Sequence, residues 1–443
     1  MDYRNIRKSK GWIYNMLLPS IHIEYRMLFQ KIHLHNREGV PANKPVLIAS
    51  NHPTAFIDPL FFCIFFDPPV YNMTRGDIFR KPFFRKLLEH CNMFPVYRQR
   101  DGYDKRDRND EVFEYCQKKL VDGVAVNIFV EGEHHLDKRV LTMQKGIARI
   151  AFGTYENHPM EDLQIIPVGC NYSAGDVLRD EAKINVGQPI FVKDYWEKYR
   201  ENPGAAINIL CGDIRKALIT LCYHIESRED DLLAEHLLTL WRNDHPVKLI
   251  PVVERSDERF KEEKKVLEGL NTMHVDQKKA LGEKTNAYFK ALQSTGITDE
   301  TLTQPHQGKW TWGFLFVIGF VPMIVGFLLS LPIRSLAHYL ANKKVKKREF
   351  RTSILLGIGV LGNFIYYLTL LVLGLAFQSA FLVLLAAALP VLSWFSIYWS
   401  DRLSGWRAAR RALKHPQRAQ LLNMREKALY AWSEACNTTK SVL

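Results

Sequence analysis

The chain has 443 residues, with 60 Lys and Arg against 47 Asp and Glu and a formal charge of +13. That length holds one large domain or two smaller ones with ample core, and the positive balance favours anionic partners: phosphate groups, anionic lipid headgroups or nucleic acid. Nucleic acid is set aside because the basic residues are dispersed or flank apolar segments and no nucleic-acid motif is visible. The odd, scattered set of seven cysteines has no CxxC pair and reads as buried free thiols in a reducing compartment.

Residues 1–44 read as an N-terminal amphipathic helical segment. No cleavable signal peptide is apparent, since the apolar stretch after Gly11 is interrupted by Pro19, His22, Glu24 and Arg26. The helix expected over 12–32 has two open readings: packed on its own domain, or lying in a membrane interface. Residues 45–226 alternate short apolar runs with amphipathic stretches. Strands are expected at Val46–Ser50, Asn92–Tyr97, Val124–Val130, Leu163–Val168 and Ile184–Val186, and helices at Arg108–Val121 and Thr142–Gly153. This is the βα alternation of an α/β class, a layered sheet with helices.

Residues 227–309 are rich in charge with apolar residues at helical spacing, as in Asp231–Trp241 and Val266–Leu292, and read as a helical arm with solvated faces. Residues 310–400 then hold three uncharged apolar runs, Trp312–Leu331, Ile354–Phe377 and Ala380–Trp399. Each is about 20 residues or longer, enough to cross a hydrocarbon core, so C-terminal membrane-embedded helices are expected. Trp310, Trp312, Trp394, Tyr398 and Trp399 sit at run ends, where aromatic belts form. Lys343, Lys344, Lys346, Lys347, Arg348 and Arg351 follow the first run, and a basic tail over 401–443 follows the third. The positive-inside rule puts both on the cytoplasmic side, which makes the last two runs a hairpin. A complete first crossing would then place the N-terminal domain outside, so the first run is expected to be re-entrant or interfacial, bent at Pro322 or Gly326.

The chemistry concentrates in Asn51-His-Pro-Thr-Ala-Phe-Ile-Asp-Pro59, directly after the first strand. Six residues advance a helix by about 600°, so His52 and Asp58 meet only if the chain turns between them, which Pro53 permits. In that geometry the carboxylate orients the imidazole as a general base. On its own a lone His/Asp pair is more often structural. Three further blocks follow in order: Met93-Phe-Pro-Val-Tyr-Arg98, Ile128-Phe-Val-Glu-Gly-Glu-His-His135 with Lys145-Gly146 beyond it, and Ile165-Ile-Pro-Val-Gly-Cys-Asn-Tyr172. His134-His135 lacks a third ligand at a telling spacing, so no metal site is expected. Asp101, Asp104, Asp107 and Asp110 lack the glycine and closing glutamate of a calcium loop and read as a charged loop or helix start.

The four blocks together resemble the glycerophospholipid acyltransferases, the family of glycerol-3-phosphate and 1-acylglycerol-3-phosphate acyltransferases, over about a third of the chain. Two departures, five residues between His52 and Asp58 where four are commoner and Val130 where the third block usually has proline, are similar to the fungal-type glycerol-3-phosphate acyltransferase branch. The resemblance implies His52 and Asp58 as catalytic residues, and Asn51, Arg98, Glu131, Gly132 and Lys145 at the substrate. Arg98 would clasp the acceptor phosphate, and Lys145 would add a point charge. It implies an acyl-CoA or acyl-carrier-protein thioester as co-substrate, no organic cofactor, a phosphate-bearing glycerol acceptor, and residence in a membrane with the catalytic domain on the cytoplasmic face. Acylation of another lysolipid, a non-catalytic lipid-binding tether and a His-dependent lipid hydrolase are the alternatives.

Overall fold

The structure is a computed structural model and describes residues 12–440, apart from 43, 67–68, 97–105, 249, 305–309 and 346. Two compact units divide the chain. The first comprises Met1–Tyr223, Ile250–Asp257 and Ala337–Phe364; the second comprises His224–Leu249, Glu258–Leu336 and Ile365–Leu443.

The first unit runs α1 (Trp12–Leu28), β1 (Phe29–His35), β2 (Val46–Ser50), α2 (Ile57–Phe65), β3 (Val70–Arg75), α3 (Pro82–His90), β4 (Met93–Val96), α4 (Arg106–Val121), β5 (Ala125–Phe129), α5 (Gly146–Asn157), β6 (Gln164–Tyr172), β7 (Asp180–Val186), β8 (Ile190–Phe191), α6 (Trp196–Glu201) and α7 (Pro203–Leu221). With β9 (Val253–Glu254), the described strands form one mixed sheet in the order β4-β3-β5-β2-β6-β7-β1-β9, with β8 beside β6. Strands β4, β3, β5, β2 and β6 are parallel, and β7 turns back antiparallel to β6.

Both faces of this sheet are covered, and the residues show why. Along β2, Val46 and Ile48 enter one core with Tyr25, Phe61, Phe65 and Ile184, while Leu47 and Ala49 enter another with Cys116, Ile147, Phe152 and Leu210. An apolar residue at every position is what a strand sandwiched between two helix layers requires.

The sequence expectations are met in kind at β2, β4, β5, β6 and β7, and at α4 and α5; Tyr97, at the end of the expected second strand, lies outside the described residues. The helix expected over 12–32 stops at Leu28 instead, and the segment set apart as 1–44 supplies a strand. Phe29, Ile32 and Leu34 are buried, and β1 pairs with β7 on one side and β9 on the other. Pairing at an otherwise open edge outweighs local helical preference there. Strand β3 went unforeseen because its apolar signal is only Val70, Tyr71 and Met73, interleaved with a buried Asn72.

The second unit contains α8 (Asp231–Asp244), α9 (Glu258–Thr272), α10 (Val275–Thr295), α11 (Asp299–Thr303) and α15 (Arg418–Lys440), with parts of α12 (Trp310–Lys343) and α13 (Arg351–Ala376) and all of α14 (Ala380–Leu413). The expected run Val266–Leu292 is two helices, because the His274 N–H bonds Gln277 Oε1 and restarts the chain at a capping box. Tyr288, Leu292, Leu302, Ala412 and Leu421 share a core, and Arg425 Nε meets Asp299 Oδ1 at 2.9 Å beside it. Among the described residues, three helices are long and apolar enough to cross a membrane: Phe316–Lys343, Arg348–Ala376 and Ala380–Leu413. The first runs as one continuous helix through Pro322 and Gly326. Gly326 serves close packing: a Cβ there would fall 2.1 Å from the Leu392 carbonyl oxygen.

Candidate active site

Register brings the carboxyl ends of three parallel strands level. Ser50 of β2 sits opposite Phe129 of β5 and Val168 of β6, so the segments after β2 and β5 emerge side by side at one sheet edge. Loops at the carboxyl ends of parallel strands are where open α/β sheets place their ligands. Pro53 ends strand pairing there but does not open the helix. Residues 53–56 form the turn, and α2 begins at Ile57 with Asp58 in its first turn, where a negative charge is favoured by the helix dipole.

The turn brings the pair together: His52 Nδ1 lies 2.8 Å from Asp58 Oδ2. Asp58 is completely buried and every lone-pair direction is engaged. Oδ2 also accepts from the Thr54 N–H at 2.9 Å, and Oδ1 accepts from the Thr54 hydroxyl at 2.9 Å and the Tyr172 hydroxyl at 2.6 Å. Burial, then the Asp58 charge, pushes the Tyr172 hydroxyl well above the usual phenol range, so it stays a donor. Stacking completes the setting: the His52 ring lies on Phe129 at 3.7 Å between centroids and 11° between planes, with His134 edge-to-face at 5.7 Å. An imidazole held this way has one ring nitrogen assigned to the carboxylate and the other left for a substrate proton.

Asn51 is not turned outward to a substrate. Its Nδ2 donates to the Cys170 carbonyl at 2.9 Å and its Oδ1 accepts from the Cys170 N–H at 2.7 Å, which fastens the β2 end to β6. Glu131 is engaged in the same way: Oε1 accepts from the Leu141 N–H at 2.8 Å and Oε2 meets His135 Nε2 at 3.0 Å. Burial pulls the His135 pKa down, but the Glu131 carboxylate and then Asp137 together outweigh it and the net shift is upward. Gly132 takes φ of 72°, a left-handed turn that suits glycine, and lets the loop fold back so that the His135 N–H reaches the His52 carbonyl at 3.2 Å. Asn51, Glu131 and Gly132 therefore hold the His52 turn. Lys145 is exposed at the head of α5, within electrostatic reach of the Cys211 thiol on α7. Arg98 lies outside the described residues.

Thr54, Tyr172 and Phe129 were quoted within the motif blocks but carried no role by sequence reasoning, while His134 was read as structural or in contact with substrate. Their only signal was proximity in the blocks. The Cys170 thiol is buried and pushed well above its usual range by burial and then by Asp58, so it is no nucleophile. Among the described residues, no three His, Cys, Asp or Glu side chains converge as metal ligands.

Residues 31–171 match the family model described as Acyltransferase. The chain is 24% identical to an uncharacterized acyltransferase of Schizosaccharomyces pombe over 53% of its own length and 35% of that protein's. It is also 24% identical to glycerol-3-phosphate O-acyltransferase 1 of Saccharomyces cerevisiae, over 55% of its length and 32% of that protein's. The chain thus spans about a third of the length of the curated relatives it matches. The crystal structure of the 1-acyl-sn-glycerophosphate acyltransferase PlsC from Thermotoga maritima aligns with a TM-score of 0.33 and 16% identity, covering 45% of this chain and 78% of that one. The matched segment begins within β1 and ends within β6, so it contains the His52–Asp58 pair, Glu131 and the strands that carry them. Residues 31–171 thus match as an acyltransferase segment, and over it the chain is similar to glycerophospholipid acyltransferases.

Proposed function

We propose that this chain is a membrane-bound O-acyltransferase that moves a fatty acyl group from a thioester to the hydroxyl of glycerol 3-phosphate or 1-acylglycerol 3-phosphate. The observation that carries the reading is the His52–Asp58 pair, with a carboxylate buried and bonded on both oxygens. An alcohol is a weak nucleophile towards a thioester, so a base must take its proton as the new bond forms. His52 Nε2 takes that proton while the hydroxyl oxygen attacks the thioester carbonyl. Asp58 stabilises the imidazolium. Collapse of the tetrahedral intermediate breaks the carbon–sulfur bond, and the imidazolium proton passes to the leaving thiolate. Direct transfer is favoured because the Cys170 thiol is buried and held protonated. In this reading Asn51, Glu131 and Gly132 shape the acceptor site, and Arg98 and Lys145 bind the acceptor phosphate. The donor is an acyl-CoA or an acyl-carrier-protein thioester. Both product and acyl chain are lipidic, so anchorage through the apolar helices fits, with the catalytic domain on the cytoplasmic face by the positive-inside rule.

The test is acyl transfer by the detergent-purified protein. A radiolabelled acyl thioester is offered with glycerol 3-phosphate in one tube and 1-acylglycerol 3-phosphate in the other, each beside a His52→Ala control. Label in lysophosphatidate alone assigns the first acylation, and label in phosphatidate alone assigns the second. Absence of His52-dependent transfer to either acceptor would overturn the glycerol-phosphate assignment and turn attention to another lysolipid or to a lipid-binding tether.

A further inference from the structure

The strongest feature left outside the acyltransferase segment is the loop between α12 and α13. It lies far along the chain from the matched residues 31–171, yet it is docked on the His52 turn within the first unit. The Phe56 N–H donates to Ser353 Oγ at 2.9 Å, and Thr352 Oγ1 donates to the Gly175 carbonyl at 2.9 Å. Arg348 Nε meets Asp176 Oδ2 at 2.7 Å. Thr352 and Ser353 are almost fully buried, although they begin an otherwise apolar helix. At the centre of the loop, the Phe350 ring stands edge-to-face on His134 at 4.7 Å and 87°, and His134 stands edge-to-face on His52. Phe350 also borders Phe56, within the same turn.

We infer that this loop is a wall of the active site and that Phe350, acting through His134, is a positioning residue for His52. The inference rests on the acyl-transfer reading for its kinetic consequence. The chain of contacts is Phe129, His52, His134, Phe350: one ring of the base is stacked on the strand end, and the neighbouring imidazole is braced from outside by the loop. Asp58 holds the base at one nitrogen but leaves the ring able to swing about that bond. Packing from Phe129 and His134 removes the swing, and without Phe350 nothing else described in this loop presses an aromatic ring on His134. A catalytic ring misplaced by about 1 Å can lose about a hundredfold in rate. The loop also leads directly into α13, so the same contact ties an apolar helix to the base.

The experiment compares Phe350→Ala, Phe350→Tyr, His134→Ala, His134→Phe and the His134→Ala/Phe350→Ala double variant in the full-length, detergent-purified protein. Expected is a fall in kcat of about ten- to a hundredfold in Phe350→Ala with KM for the thioester within about twofold. Phe350→Tyr recovers most of the rate, and His134→Phe retains more than His134→Ala. The double variant is no slower than the worse single variant, because the two act in series. Losses that multiply, a change confined to KM, or an unaltered Phe350→Ala would overturn the inference. A second readout does not need turnover: carbethoxylation of His52 by diethyl pyrocarbonate, followed by peptide mass mapping, is expected to be faster in Phe350→Ala than in the parent. Equal rates would overturn the positioning role. If the parent itself transfers no acyl group, the acyl-transfer reading fails, and the carbethoxylation rates still decide the positioning one.

Discussion

Asp58 is the residue on which the site turns, because three donors besides His52 converge on its two oxygens. An ionised acceptor in a buried site makes strong hydrogen bonds, and each donor removed leaves part of its charge unmatched. Tyr172→Phe removes one such bond without changing shape. The expected outcome is a loss of about tenfold in kcat, with fold and KM retained, measured by steady-state acyl transfer beside a melting curve. Asp58→Asn is expected to cost far more, on the order of a thousandfold or beyond, because an amide can present its N–H to the imidazole and select the wrong tautomer. A Tyr172→Phe variant with full activity would show that the phenol packs rather than tunes. His52 and Asp58 were legible in the sequence because both lie in one short run. Their supporting donors were not, since Tyr172 arrives from 114 positions away through the pairing of β6 with β2.

At the scale of elements, strands were legible where both faces are apolar, as in Val46–Ser50, and illegible where polar residues are interleaved, as in β1 with Lys31, His33 and His35. Helix α1 was legible as a helix, with its packing left open between its own domain and a membrane interface; Leu17, Ile21, Tyr25 and Leu28 enter the sheet core, and one carboxyl is buried with them. Glu24 is buried and accepts from Asn363 Nδ2 of α13, and Ser20 Oγ reaches the Val360 carbonyl at 3.3 Å one turn away. Burial pushes the Glu24 carboxyl from its ordinary 4.5 up to about 7, with the Asn363 bond opposing only in part. The folded protein therefore keeps this proton through a window in which the unfolded chain has released it. The associated stability is present in full below about 4.5, falls as pH rises towards about 7, and levels off above it. The span corresponds to about 3 kcal/mol. Glu24→Gln keeps the shape and the acceptor oxygen but removes the ionisation. The drop in Tm between about pH 5 and about pH 8 is expected to shrink in this variant. An unchanged drop would mean that another group carries the pH dependence.

For the whole molecule, the connections decide how the apolar helices can meet a bilayer. In the first unit, β9 pairs with β1 at Ile32 and His33, and Lys31 Nζ reaches the Pro251 carbonyl at 3.0 Å. The α12–α13 loop is bonded to the turn beyond β2 and to Gly175 and Asp176 beyond β6 of the same sheet. Among the described residues between these two anchors, the only helix apolar enough to cross is α12, since α9 and α10 carry too much charge to enter hydrocarbon. A single crossing would put two parts of one sheet on opposite faces of the membrane. In a bilayer, helix α12 is therefore expected not to cross. In the second unit, Tyr288 and Leu302 share a core with Ala412 and Leu421, so an even number of crossings separates α11 from the end of α14. Helices α13 and α14 are then expected to cross as a pair, with the turn at Gln378-Ser379 on the far side.

Within the second unit, Gly319 packs on Trp399, Gly326 on Leu392 and Ser396, and Arg334 is within electrostatic reach of Asp401. The sidedness of the two ends of α12 distinguishes an interfacial helix from a span. Single cysteines placed at Thr303, Lys347, Ser379 and His415 of a cysteine-free background, labelled with an impermeant maleimide in sealed vesicles, test this. Positions 303, 347 and 415 are expected to react from one side and position 379 from the other. Labelling of 303 and 347 from opposite sides would make α12 a full span, and would require either β9 or the loop carrying Phe350 to leave the sheet when the protein enters the membrane.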